Sequence, residues 1–127
     1  MQSAGSGKAI LVVDDEPINR ELLRAVLASE HHDVFLAEDG EQALELVRSR
    51  RPDLIIVDLH LPGMTGTEFI KRVRRGEADS ETVIALYTAS DITAAMRDFM
   101  QLMNVELVIP KPADPEQIIA IVRKALY

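Results

Sequence analysis

The sequence predicts an α/β fold in which parallel strands form one sheet and helices cover both of its faces. Short runs rich in Val, Ile and Leu alternate with longer segments whose apolar residues recur at helical spacing. Strand–helix alternation of this kind, repeated five times here, produces a parallel sheet with helices on both sides. A chain of 127 residues is long enough to bury one substantial core.

The first three elements follow a short polar segment. Residues 1–7 are interpreted as a flexible lead-in or an expression remnant, so that the domain covers 8–127. AILVV at 9–13 and DVFLA at 33–37 are predicted strands, and a helix is predicted over 17–30 because its first residue is a proline. The apolar residues at helical spacing in this helix are Ile18, Leu22, Ala25 and Val26.

The middle of the chain contains the most strand-like segment. A helix over 41–50 presents Leu44 and Val47, and DLIIVD at 53–58 is the third strand. The loop HLPGMTG leads to a helix over 67–75. This helix places three apolar residues on one side, namely Phe69, Ile70 and Val73.

The last two strand–helix units have clear boundaries. They are predicted as strands at 81–88 and 106–109 and helices at 92–103 and 113–126. Asn104 is an acceptable left-handed terminator for the first of these helices. The second begins with Asp114 as cap, Pro115 in the first position and Gln117 at the capping-box position.

The strand pattern also indicates a topology. Strands 1 and 3 are apolar throughout, as strands covered on both faces must be. For five strand–helix units, the flavodoxin-like order 2-1-3-4-5 is the leading arrangement. Ligands of such folds bind at the carboxyl ends of the strands, next to the switch point between strands 1 and 3.

Composition excludes several classes of function. The net charge of −7 argues against a nucleic-acid surface, because phosphate binding requires clustered Lys and Arg. The absence of cysteine excludes disulfides, thiol catalysis and zinc–thiolate sites. No stretch is apolar enough to span a membrane or to act as a secretory signal, so a cytoplasmic protein without a membrane partner is expected.

Charged and hydroxyl side chains follow the strands that the topology places side by side. Strand 1 ends in Asp14 and Asp15, strand 3 in Asp58, strand 4 in Thr88, and strand 5 at Lys111. Three clustered carboxylates resist full ionisation unless a cation offsets their charge. An all-oxygen set of this kind suits a hard ion such as Mg²⁺, with Mn²⁺ able to take its place.

The same rim has the parts of a phosphoryl-acceptor site. A carboxylate can attack phosphorus and form an aspartyl phosphate. Lys111 supplies a compact positive charge and Thr88 a hydroxyl donor, and both suit phosphoryl oxygens.

Four motifs in order extend this interpretation to a family. LVVDDEP, PDLIIVDLHLPGMTG, the Thr-Ala after strand 4, and PKP together resemble the receiver domain of two-component response regulators, over about residues 8 to 126. The resemblance implies that Asp58 is phosphorylated by a histidine kinase or a phosphotransfer protein. It also implies that the Lys111–Pro112 peptide bond is cis.

The resemblance further implies a role for each rim residue. Asp15 binds Mg²⁺ directly, Asp14 helps to place the ion, and the backbone carbonyl of His60 completes the coordination. Thr88 donates a hydrogen bond to the phosphoryl group, and Lys111 pairs with it. The domain then catalyses only its own phosphorylation and dephosphorylation, and is a signalling switch that controls a partner or output domain.

Two alternative functions remain open. A haloacid-dehalogenase-type phosphohydrolase shares the aspartyl phosphate, but it usually carries a DxD pair where this chain has DLH, and a cap domain for which this chain is too short. The intact acids, Thr88 and Lys111 argue against a phosphorylation-independent interaction module, but Val108 keeps it open, because it replaces the aromatic residue that often acts as a switch in the family. Tyr87 is expected to face the opposite side of the sheet because side chains alternate along a strand.

Three further expectations concern side chains around the rim and on the surface. His60 and Ser90 occupy the two positions that tune dephosphorylation in relatives, and neither is an obvious water-positioning amide. His31 and His32 are expected to be exposed in a loop. The residues Met96, Phe99, Met100 and Met103 are expected to be core.

The alternative role for this apolar set is a partner surface. In that role, a homodimer forms through the face of the fourth helix, fifth strand and fifth helix. Met100→Lys is then expected to disturb dimerisation without unfolding the domain.

Overall fold

The computed structural model describes residues 7–77 and 81–127, so the interpretation of residues 1–7 as a lead-in falls outside the described part except at Gly7. The strands are β1 Ala9–Val13, β2 Asp33–Ala37, β3 Leu54–Val57, β4 Val83–Thr88 and β5 Leu107–Pro110. The helices are α1 Pro17–Ser29, α2 Gly40–Arg50, α3 Gly66–Arg72, α4 Ala94–Leu102 and α5 Pro115–Leu126. All strand pairs are parallel and the sheet order is β2-β1-β3-β4-β5, which confirms the predicted topology.

Each face of the sheet carries its own apolar core. Helices α1 and α5 cover one face, where Leu23 and Ile118 pack on alternate strand residues such as Ile10 and Ile56. Helices α2, α3 and α4 cover the other face, which includes Leu11 and Val57. Strands β1 and β3 lie in the middle of the sheet and are buried from both sides, which explains their continuous apolar sequences.

Helix ends follow the predicted signals closely. Asp114 caps α5 by accepting a hydrogen bond from the Gln117 N–H at 2.8 Å, and Pro115 is the first residue of the helix. Asn104 follows α4 with φ of 60°, in the left-handed conformation predicted for it. After α3, the chain turns through Val73–Glu77, where Gly76 leaves the helical conformation with φ of 86°.

The buried stripe of α1 differs from the spacing pattern. Leu23, Val26 and Leu27 are buried, whereas Ile18 is 81% exposed and Leu22 is also exposed. Two apolar sets at helical spacing share this helix. Only contact with the sheet decides which of them is covered.

Two expectations about single residues are wrong. His32 is buried, not exposed, because its Nδ1 accepts the Lys8 backbone N–H at 3.0 Å and so ties the loop before β2 to the start of β1. Met100 is buried in the α4 core, so Met100→Lys would place an ammonium group in apolar surroundings and would not spare the fold. The expectation that the apolar α4 residues are core holds fully for Met100, whereas Met96, Phe99 and Met103 are partly buried and pack against the same core.

None of the helices in the described part of the chain is long and apolar enough to cross a membrane.

Candidate functional site

Three aspartates meet where β1 and β3 end. Asp14, Asp15 and Asp58 each offer a carboxylate oxygen, and these oxygens lie within 4.8 Å of one another. Backbone pairing sets this placement, because the Asp58 N–H donates to the Val13 carbonyl at 3.0 Å and continues the sheet by one residue. Asp14 and Asp58 are buried, whereas Asp15 is exposed.

Backbone N–H groups hold the two buried carboxylates in place. Asp14 Oδ1 accepts from the Glu16 N–H at 2.9 Å, and Asp58 Oδ1 accepts from the His60 N–H at 3.1 Å. In each case the donor lies two residues further along the chain, so each loop orients its own acid. The other oxygen of each carboxylate points toward Lys111.

Lys111 is the cation of the site. Its Nζ lies 2.8 Å from Asp14 Oδ2 and 3.0 Å from Asp58 Oδ2, to which it donates a hydrogen bond. Burial alone would lower the pKa of Lys111, but the contacts with the Asp14 and Asp58 carboxylates raise it, so the group is charged at neutral pH. The Lys111–Pro112 peptide bond is cis, as the resemblance implied.

Thr88 completes the rim at the end of β4. It is buried, and its Oγ1 accepts the Ser90 N–H at 3.1 Å, which leaves the hydroxyl proton available to a further acceptor. The Lys111 N–H donates to the Thr88 carbonyl at 3.0 Å, which holds the two residues side by side. The exposed His60 side chain reaches across the rim, with Nε2 at 3.4 Å from Ser90 Oγ.

The donor set fits a hard divalent cation. It consists of carboxylate oxygens, and neither cysteine nor a histidine nitrogen belongs to the group. Asp14 Oδ2 has an ion-pair neighbour in Lys111, yet it receives no aligned hydrogen bond from any residue in the described ranges. A buried carboxylate oxygen in this state has room in its coordination for a cation.

Sequence reasoning missed two residues that contact the rim. Arg20 of α1 donates from its guanidinium to the Asp14 carbonyl at 2.8 Å. Tyr87 does face the side of the sheet opposite Val108, as predicted, but its ring also lies beneath the Lys111 ammonium, with Nζ 4.7 Å from the ring centroid. No spacing pattern signals this contact, because it depends on strand register and on the path of the chain after β5.

Comparisons with known proteins agree with this geometry. The family model described as the response regulator receiver domain matches residues 10–123. The DNA-binding response regulator MtrA of Mycolicibacterium smegmatis is 39% identical over 117 residues, which cover 92% of this chain and 50% of MtrA. The sensor histidine kinase AruS of Pseudomonas aeruginosa is 44% identical over 87 residues, which cover 67% of this chain and 9% of AruS.

Solved structures extend the likeness to three dimensions. The chemotaxis protein CheY4 of Vibrio cholerae superposes with a TM-score of 0.88 at 28% identity, covering 94% of this chain and 99% of that one. The receiver domain of the sensor histidine kinase PA1611 from Pseudomonas aeruginosa, with a magnesium ion coordinated in its active-site cleft, gives a TM-score of 0.83 at 27% identity, covering 94% and 98%. The match to the family model, the MtrA relatives and the acidic rim lead to one conclusion: this chain belongs to the receiver domain family of two-component response regulators.

Proposed function

We propose that Asp58 accepts a phosphoryl group in a Mg²⁺-dependent reaction, with a histidine kinase or a phosphotransfer protein as the donor. The observation that carries the proposal is the convergence of three carboxylates and one partly buried ammonium group on a single rim. Asp58 is the acceptor because it lies at the switch point between β1 and β3 and shares Lys111 with Asp14.

The chain's own residues supply the nucleophile, a cation and a hydrogen-bond donor for the reaction. A carboxylate oxygen of Asp58 attacks phosphorus and forms a P–O bond, while the bond between phosphorus and the donor histidine nitrogen breaks and leaves its electron pair on that nitrogen. Lys111 neutralises charge on the phosphoryl oxygens, and the Thr88 hydroxyl donates a hydrogen bond to one of them. Positioning and charge neutralisation carry such transfers, since little other covalent chemistry is needed.

A metal ion would be held by the carboxylates of Asp14, Asp15 and Asp58 and the backbone carbonyl of His60. When bound, Mg²⁺ supplies positive charge that offsets the negative charge gathering on the phosphoryl oxygens. Mn²⁺ prefers similar oxygen ligands and is expected to replace it.

The domain is a switch and not an enzyme with an outside substrate. Its chemistry is confined to its own phosphorylation and dephosphorylation, and the domain proposed here covers residues 8–127. The chain spans about half the length of the MtrA relatives it matches. Those relatives are described as DNA-binding response regulators, so the expectation that this chain does not bind nucleic acid directly stays a prediction.

Intact-mass spectrometry after incubation with acetyl phosphate and MgCl₂ tests the proposal. We expect one phosphoryl adduct that is labile to hydroxylamine, absent with a chelator and absent in Asp58→Asn. Rapid turnover of a phosphate ester would instead favour the hydrolase. A folded protein that binds Mg²⁺ but takes up no phosphoryl group would favour the phosphorylation-independent module.

We further propose that the phosphorylated domain forms a homodimer through the face of α4, β5 and α5. A groove between α4 and the segment that leads into β5, at one end of this face, is lined by residues that include Arg97, Gln101 and Glu106. In a two-fold dimer, the same patch of each copy faces the other copy. Arg97 of one copy would then meet Glu106 of the other, and the reverse pair would form as well. Light scattering should show a dimer on phosphorylation that Arg97→Glu abolishes and Arg48→Glu, on α2, preserves. A phosphorylated wild type that stays monomeric would overturn this proposal.

A further inference from the structure

Tyr87 lies beneath the cation of the site without taking part in the chemistry described above. The Lys111 Nζ sits 4.7 Å from the centroid of the Tyr87 ring. Tyr87 is only 2% exposed, and the Lys111 side chain is 17% exposed, so water screens this contact weakly. A cation over the face of an aromatic ring is attracted by the negative potential of that face, and the attraction grows when the pair is desolvated.

The backbone fixes the ring and the ammonium group against each other. In the parallel pairing of β4 and β5, Tyr87 lies opposite Ile109, and the Lys111 N–H donates to the carbonyl of the next residue, Thr88. The ring packs in the apolar core beneath α1 and α5, together with Ile10 and Ile109. Because that packing holds the ring from below, the ring is a rigid support for the ammonium above it.

The ammonium group therefore has three neighbours that attract it: Asp14 Oδ2, Asp58 Oδ2 and the ring face. When Asp58 carries a phosphoryl group, one of its carboxylate oxygens is part of the new P–O bond. Lys111 must then exchange its contact with Asp58 for one with a phosphoryl oxygen. Neither Asp14 nor the ring takes part in that exchange, so both remain available to hold the ammonium group.

We propose that Tyr87 is a positioning residue, whose ring face holds the Lys111 ammonium group at the rim so that it meets the incoming phosphoryl group. This inference rests on the proposed function. The ring, and not the hydroxyl, is the relevant part. Burial raises the pKa of Tyr87, so its phenol is protonated at neutral pH and brings no charge of its own to the contact.

The first test compares rates of adduct formation from acetyl phosphate at saturating MgCl₂. Tyr87→Phe keeps the ring and should retain most of the wild-type rate. Tyr87→Leu should slow the reaction about 5- to 30-fold, which corresponds to about 1–2 kcal/mol at about 1.36 kcal/mol per tenfold. Phe35→Leu is the matched control, because Phe35 also lies beneath a cation, with the Arg50 guanidinium carbon 5.2 Å from its ring centroid, but on the edge strand β2.

A double-mutant cycle separates positioning from a general structural role. In a Lys111→Met background the ring has no ammonium group to hold, so Tyr87→Leu should cause little further loss. An equal further loss in that background would show that the ring only supports the strand, and would overturn the inference. Equal rates for wild type, Tyr87→Phe and Tyr87→Leu would overturn it as well.

A second measurement does not depend on phosphorylation. In NMR spectra of the metal-free protein, the Lys111 Hε protons should carry a ring-current shift that Tyr87→Phe keeps and Tyr87→Leu loses. Replacing Tyr87 by phenylalanines with increasing fluorination weakens the ring potential at nearly constant shape, and the rate should fall stepwise along the series.

The two proposals fail in different ways. If the wild type forms no adduct, the proposed function fails, and only the ring-current shift of the Lys111 Hε protons then tests whether the ring holds Lys111. If the wild type forms the adduct and the rate does not change along the fluorinated series, only the role of Tyr87 fails.

Discussion

Neutralising Asp15 should stabilise the metal-free protein and weaken its response to Mg²⁺. Asp15 is exposed, but its carboxylate lies within 4.8 Å of those of Asp14 and Asp58. Lys111 offsets one of these two negative charges, so Asp15 faces about one uncompensated charge. At 4.8 Å one such charge costs about 0.9 kcal/mol in a water-like medium and about 3.5 kcal/mol at an effective dielectric constant of about 20.

Because Asp15 is exposed, the repulsion that its charge experiences lies closer to the value for a water-like medium than to the value for a dielectric constant of about 20. We expect Asp15→Asn to raise the free energy of unfolding by about 1–2 kcal/mol in a chelator. Mg²⁺ stabilises any folded state that binds it, by about 1.4 kcal/mol at a tenfold excess over its dissociation constant. Since the variant lacks one of the proposed ligands, its gain from Mg²⁺ should be clearly smaller than that of the wild type.

Urea unfolding followed by circular dichroism, with chelator and with MgCl₂, measures both quantities. Glu16→Gln is the matched control, because Glu16 is the adjacent exposed acid and lies outside the three-carboxylate group of the described residues. Glu16 occupies the N-cap position of α1, where a negative charge is favourable, so its neutralisation should cost about 0.3–1 kcal/mol. If Asp15→Asn destabilises the metal-free protein, or keeps the full Mg²⁺ gain, the electrostatic reasoning is refuted.

Three further predictions concern residues around the site and away from it. Gly66→Ala should lower stability by about 1–3 kcal/mol and slow adduct formation at Asp58, because the added Cβ would overlap the backbone of Asp58 and Leu59. Urea unfolding and intact-mass spectrometry measure the two effects. Burial lowers the pKa of His32, whose Nδ1 accepts the Lys8 N–H, so the folded state favours the neutral ring. The free energy of unfolding should therefore fall as the pH drops below about 6.5, by at most about 1.4 kcal/mol per pH unit. Urea unfolding at several pH values should show a smaller loss of stability at low pH for His32→Gln than for the wild type. Asp114→Ala should cost about 1 kcal/mol of stability through the lost cap and leave the rate of adduct formation unchanged, because the cap serves α5 alone.

The rim could be predicted from the sequence because topology alone determines it. Once β1, β3, β4 and β5 are recognised as parallel neighbours, the residues after each strand must meet at one edge. This rule brings Asp14, Asp58 and Lys111 together without any knowledge of side-chain packing. The cap of α5 was equally predictable, because a capping box is a local interaction between residues three positions apart.

Features that depend on contacts between distant segments could not be predicted. His32 is buried because its ring meets the backbone of Lys8, which is 24 residues away in sequence. Which apolar residues of α1 are buried depends on the side of the helix that faces the sheet, and there Leu23 is buried whereas Ile18 is exposed. The contact of Tyr87 with Lys111 depends on strand register and on the path of the chain after β5, neither of which a spacing pattern contains.

The charges of the rim explain why phosphorylation should require a divalent cation. Three carboxylates and one ammonium group leave the metal-free site with a net charge of −2. Converting the Asp58 carboxylate to an acyl phosphate, which carries a charge of about −2 itself, would bring that total to about −3 in a partly buried place. Mg²⁺ held by these carboxylates would offset two of these charges both before and after transfer, so that the incoming group would meet a nearly neutral site. Lys111 alone cannot neutralise the site, because its single charge is already shared between Asp14 and Asp58. Its position over the Tyr87 ring then determines how readily the ammonium group contacts the phosphoryl group.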